Sequence, residues 1–73
     1  MSEKEQFELK ENSEFIELIK LLKIHEVAQT GGHGKIIIED GLVHVNGEQE
    51  FRKRKKLRKG DLIEVEGRQI EIV

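Results

Sequence analysis

The chain contains no cysteine, and at 73 residues that absence constrains its folding more than any other feature. Neither a disulfide nor a thiolate zinc site can staple it, so an apolar core must hold it together unaided. A domain of this size buries only about 60% of the surface its unfolded chain exposes. Such a core is economical and leaves little room for an enclosed active site. The expectation is therefore one domain over residues 1–73, with 36% apolar residues set against 38% charged ones. That balance lies near the edge of disorder, but the apolar residues fall in periodic groups, which indicates a folded domain. The same absence removes any cysteine nucleophile and fits a cytoplasmic location.

The first residues, Met1 to Gln6, are polar and acidic and read as a flexible tail. They lead into no apolar segment, and the longest uninterrupted apolar run is three residues, so no membrane targeting or spanning is expected. Phe7 and Leu9 then alternate with Glu8 and Lys10 in a short strand-like stretch. Asn12-Ser13 offers an N-cap, and Phe15, Leu18, Ile19 and Leu22 repeat at the i, i+3, i+4, i+7 spacing of one helix face. Glu14 and Glu17 in the first turn with Lys20 and Lys23 in the last suit the helix dipole. This spacing predicts a helix over about residues 14–24.

Thr30 can cap a second helix running to Asp40, with Gly41 as the left-handed residue that ends it. Three glycines, at 31, 32 and 34, and the β-branched Ile36-Ile37-Ile38 suit a strand equally well, so local pattern leaves the two open. From Val43 the period becomes two. Asn46-Gly47 signals a type I′ hairpin turn, Gly60-Asp61 leads into Leu62 to Val65, and Glu66-Gly67 reverses the chain toward Ile70 and Ile72.

Few constellations carry chemistry. Thr30 to Lys35 resembles a phosphate loop only superficially: the glycine spacing is short, and Ile36 follows Lys35 where a magnesium-binding hydroxyl is needed. A helix start with small residues can still admit a phosphate, with Lys35 supplying charge and His33 a donor. Equally, the glycines can serve close helix packing. The three histidines, at positions 25, 33 and 44, include no i, i+4 pair and read as surface residues, so no metal site is expected. No carboxylate pair or hydroxyl–base set suggests catalysis, and no cofactor or small-molecule substrate is implied. Tryptophan and tyrosine are absent, and of the three phenylalanines Phe7 and Phe15 are assigned to the core, leaving no stacking platform for single-stranded bases.

Against this background stands Arg52-Lys53-Arg54-Lys55-Lys56-Leu57-Arg58-Lys59, in which seven of eight residues are cationic although the net charge of the chain is -2. A solvated loop and a polyanion-binding stripe both fit the run taken alone. The net charge does not decide between them, because salt screens interactions beyond roughly 8–10 Å and a phosphate backbone responds to local potential. Arginine forks and lysine point charges hold phosphates and recognise shape, which points toward folded or double-helical RNA.

Four segments occur in a recognisable order: Leu18 to Leu22, Thr30 to Lys35, Ile38-Glu39-Asp40-Gly41-Leu42-Val43-His44-Val45-Asn46-Gly47, and Lys59-Gly60-Asp61-Leu62-Ile63-Glu64-Val65. Together they resemble the S-four-type RNA-binding domain, or alpha-L motif, over about residues 13–66. Within that family the chain is similar to the small stand-alone YbcJ/YaaA-like bacterial proteins. The resemblance implies an α+β fold of two packed helices against a small bent antiparallel sheet, and helix for Thr30 to Asp40. It implies a non-catalytic bacterial protein that binds structured RNA, ribosomal or transfer RNA, and through it the ribosome or its assembly intermediates. It places a binding role on Lys35, Arg52, Lys53, Arg54 and Lys55, and further on His33, Lys56, Arg58 and Lys59. Gly31 stands where the broader family has arginine. The rival reading is a protein-interaction adaptor with an acidic helix-one face and an incidental basic loop.

Overall fold

A computed structural model describes residues 3–73. In chain order it contains β1 (Glu3–Phe7), β2 (Ile16–Glu17), α1 (Leu18–Ile24), α2 (Gly31–Glu39), β3 (Val43–Val45), β4 (Glu48–Gln49), β5 (Lys56–Leu57), β6 (Leu62–Val65) and β7 (Arg68–Ile72). Five strands form one sheet in the order β1-β7-β6-β3-β4, and β2 pairs separately with β5.

The alternation after Val43 produces a sheet with one apolar face. Val43, Val45, Ile63, Val65, Ile70 and Ile72 are all buried, and the register sets Val45 opposite Ile63 and Ile63 opposite Ile70. Residues between them, such as His44, Glu64 and Gln69, take the other face, as expected for an antiparallel sheet covered on one side. Leu18, Leu21 and Leu22 of α1 and Ile37 and Ile38 of α2 complete a single core cluster with these side chains. Each fully buried leucine or isoleucine contributes roughly 1.5–3 kcal/mol.

The sheet is mixed rather than antiparallel. Residues 3–6, expected as a tail, belong to β1, which pairs in parallel with β7, and Met1 and Ser2 lie outside the described residues. The cause is ionic and backbone pairing that composition does not reveal. The Glu5 carboxylate accepts two hydrogen bonds from Arg68, both at 2.7 Å, and one from His25 Nδ1 at 2.8 Å. Beyond β1, Leu9 N–H donates to the Val73 carbonyl and Val73 N–H to that of Phe7.

Helix α1 begins at Leu18 rather than near residue 14, and its N-cap is Glu17 with no side-chain capping bond. Ile16 and Glu17 are extended because they pair with Leu57 and Lys56. Alternation there sends Ile16 inward and leaves Phe15 outside, 37% exposed, which corrects the assignment of Phe15 to the core. Phe7 is only half-buried. For residues 30–40, helix prevails over the β-propensity of the isoleucines. Thr30 Oγ1 accepts from His33 N–H at 3.1 Å. At the other end Gly41, at φ 76°, closes a Schellman motif in which Leu42 N–H reaches the Ile37 carbonyl and Gly41 N–H that of Ile38. No helix among the described residues is long and apolar enough to cross a membrane.

Candidate nucleic-acid interface

The basic run is not a free loop. Leu57 is fully buried and Lys56-Leu57 form β5, so the segment is pinned from below by a core side chain. It is pinned from the side by α1. The first N–H groups of a helix lack intrahelical partners. Here Leu18 N–H donates to the Lys55 carbonyl and Ile19 N–H to the Lys53 carbonyl, each at 2.9 Å. The basic segment thus supplies the cap that Glu17 does not, and its carbonyls face α1 in making these bonds. A turn closed by Lys55 N–H on the Arg52 carbonyl carries Lys53 and Arg54 at its exposed tip.

This backbone course gathers Arg52, Lys53, Arg54, Lys55 and Lys56 around one open concavity of about 580 Å³, lined by these five residues. Arg52 is partly committed. Its guanidinium forks onto Glu50, with Nε to Oε2 at 2.9 Å and Nη2 to Oε1 at 3.1 Å, and its own N–H adds a third bond to Oε2. Those bonds hold the buried Glu50 carboxyl below the usual carboxylate range and raise the guanidinium above its own. An acid just outside the run therefore offsets its first charge. The other four cationic residues of the concavity have no ion pair among the described contacts.

The glycine-rich helix start lies close to this concavity through Ile19. A Cβ on Gly34 would collide with Ile19 Cδ1 and stand 3.3 Å from Ala28 Cβ, so Gly34 serves helix packing. Gly31 and Gly32 do not, since added Cβ atoms would meet nothing within 4 Å at Gly31 and only Thr30 Oγ1 at Gly32. Ile19 therefore touches the first turn of α2 with its side chain and the basic turn with its amide. His33 Nδ1 accepts from Gln29 N–H at 3.4 Å, which leaves Nε2–H as the ring's donor. Lys35 is exposed and lies 3.9 Å from Glu39 one turn on.

Arg58 and Lys59 fall outside the concavity. Arg58 Cζ lies 5.9 Å, and Lys56 Nζ 4.9 Å, from the Phe15 ring centroid. Lys59 occupies the exposed turn at Gly60-Asp61. That turn is tied to the hairpin. Asn46 Nδ2 donates to Asp61 Oδ1 at 3.0 Å, while Asn46 Oδ1 accepts from Leu62 N–H at 2.9 Å. The Val-Asn-Gly and Lys-Gly-Asp stretches, far apart in the chain, thus bond to each other, and Asp61 Oδ2 takes the Arg58 N–H at 2.8 Å. Residues missed by sequence reading are Glu50, which orders Arg52, and Phe15, whose exposure depends on the non-local β2–β5 pairing.

Two helices, a mixed five-stranded sheet and a basic turn set against the start of α1 define an alpha-L type of small α+β protein. The sequence pattern of the S4 domain matches residues 7–73, and the chain belongs to that family. Among similar proteins, one named as a probable ribosome maturation protein, RlbA of Bacillus subtilis, is 39% identical over 56 residues, covering 77% of this chain and 79% of that one. YbcJ of Escherichia coli is 36% identical over 58 residues, covering 80% of this chain and 83% of its own. The solution structure of YbcJ, described as revealing an alpha-L motif involved in RNA-binding, superposes with a TM-score of 0.70 at 34% identity, over 100% of this chain and 91% of that one.

Proposed function

We propose that this protein is a non-catalytic RNA-binding protein of the bacterial cytoplasm. It holds structured RNA, of the ribosomal or transfer class, through the basic turn and the start of α2, and so acts on the ribosome or its assembly intermediates. The observation that carries this reading is the concavity of Arg52 to Lys56, whose backbone is bonded to the N-terminus of α1. A flexible cationic loop would attract any polyanion. A cationic turn fixed at both its core side and its helix side offers charges at set spacing, which matches phosphates whose own spacing is fixed by a helix or junction. In this reading Lys35 and His33, with the uncrowded Gly31 and Gly32, add to the binding surface from the start of α2, and the exposed Arg58 and Lys59 add to it from the end of the basic run. The RNA-related names of the similar proteins support the reading.

Fluorescence anisotropy at matched ionic strength tests it. A ribosomal-RNA hairpin should bind more tightly than a poly-pyrimidine strand of equal length. Replacing Lys53, Arg54 and Lys55 with Ala should remove most of the affinity. Equal affinity for the two RNAs would reduce the site to an undiscriminating charge patch. Retention of hairpin binding by the triple variant would move the RNA site off the basic turn, and failure of the parent to bind either RNA would favour the adaptor reading, in which the basic segment is incidental.

A further inference from the structure

Both residues of β2, Ile16 and Glu17, line a groove of about 370 Å³. Phe7, Leu9, Phe15 and Ile24 give it apolar walls, and Phe15 and Ile24 are 37% and 54% exposed. Lys10 and Lys20 line it as well, with Glu17 as its one carboxylate and Ser13 as its one hydroxyl. The chain entering β2 at Phe15 runs beside the chain leaving β5 at Arg58, which explains why Lys56 and Arg58 both lie over the Phe15 ring.

We propose that this groove is a second RNA subsite that receives an unpaired nucleobase against Phe15, with the adjoining phosphates held by Lys56 and Arg58. The proposal rests on the RNA-binding reading above and extends it from phosphates to a base. Charge complementarity selects the occupant. Lys10 and Lys20 line an aromatic and aliphatic interior that holds a single acid, and Lys56 and Arg58 lie against the Phe15 ring that forms one of its walls. That combination suits a flat ring attached to anionic groups, because bases stack on aromatic side chains while cations take the backbone. Continuity selects RNA over an acidic peptide. Lys56 lines the basic concavity and also lies over Phe15, so a strand whose phosphates occupy the first site arrives at the second. Glu17 and Ser13 supply acceptors for a base carrying an exocyclic amine, and adenine is the base to try first.

The test compares two RNA hairpins that differ at one bulged position, adenosine in one and an abasic residue in the other. The parent protein should bind the adenosine hairpin about ten-fold more tightly, as expected from base–aromatic stacking. Phe15→Leu keeps apolar bulk, and so the fold, but should lose that preference while binding the abasic hairpin as the parent does. Phe15→Trp should keep it. Equal binding of the two hairpins by the parent, with salt-sensitive affinity for both, would overturn the base subsite and leave the phosphate site standing. Failure of the parent to bind either hairpin would instead overturn the RNA-binding reading and this subsite with it. An acidic, aromatic-bearing peptide that binds the parent but not Phe15→Leu, with no preference between the hairpins, would reassign the groove to a protein partner.

Discussion

Gly32 and Gly34 lie two residues apart in α2, yet the protein needs only one of them for packing. At Gly34 a methyl group would press on Ile19 and Ala28, and although Ile19 Cδ1 can swing aside, the Ala28 Cβ cannot. Gly34→Ala should therefore cost about 1–2 kcal/mol, overpacking outweighing the gain in helix propensity. Gly32→Ala meets no such wall and should stabilise by about 0.5–1 kcal/mol. Urea denaturation midpoints of the two variants should move in opposite directions. Glu5 makes a second residue-scale prediction. The hydrogen bonds from Arg68, and after them that from His25, hold its carboxyl at about 2, against an ordinary value of 4.5. A lowered carboxylate pKa contributes stability that is complete above the unfolded value and is lost as pH falls through the folded one, here from about 4.5 to about 2. With the side chain 26% exposed, solvent screening leaves this contribution on the order of 1–2 kcal/mol. Glu5→Gln should be less stable at neutral pH and lose less stability between those pH values than the parent. Equal acid limbs for the two proteins would show that the cluster does not fasten β1.

At the scale of elements, what was legible in the sequence depended on how local the causes were. The Asn46-Gly47 turn has φ of 53° and 85° at its two residues and joins Val45 to Glu48 directly, as a type I′ hairpin requires. Gly47→Val should lower stability by more than about 1 kcal/mol, since a β-branched residue is strained at that φ even with open space around it. An unchanged thermal midpoint would contradict it. The α2 ends were readable for the same reason, because Thr30 and Gly41 act within a turn of themselves. Its middle was not, since glycines and isoleucines are accepted there only because Gly34 meets Ile19 and because Ile37 and Ile38 enter the core. The start of α1 was misplaced by the helical spacing of Phe15 with Leu18, Ile19 and Leu22. Pairing of Ile16 with Leu57, forty-one positions away in sequence, overrides that spacing. The same pairing orders the basic run and leaves Phe15 outside, so one non-local contact accounts for Phe15, while Glu50 acts on Arg52 only two positions away.

For the whole molecule, two kinds of order meet at the N-terminus of α1. The core fixes Leu57 beneath the basic segment, and backbone bonds at Leu18 and Ile19 fix it against the helix. Charge is segregated to match: residues 1–26 carry four lysines against seven glutamates, while seven of the thirteen lysines and arginines stand between Arg52 and Lys59. An overall net charge of -2 conceals this dipolar arrangement, and it is the local field that an RNA would meet. The parallel edge strand β1 was illegible for a different reason, since its partner β7 lies at the far end of the chain and its sequence is almost entirely polar. The central claim, that the ordered cationic turn binds RNA phosphates, is tested most directly by the salt dependence of hairpin binding. If about four to six phosphates are neutralised, log K should fall against log salt with a slope of roughly -3 to -5, and replacing Lys53, Arg54 and Lys55 with Ala should flatten it by about 2–3 units while the fold persists. A parent slope near zero, or the same slope in the triple variant, would contradict the claim.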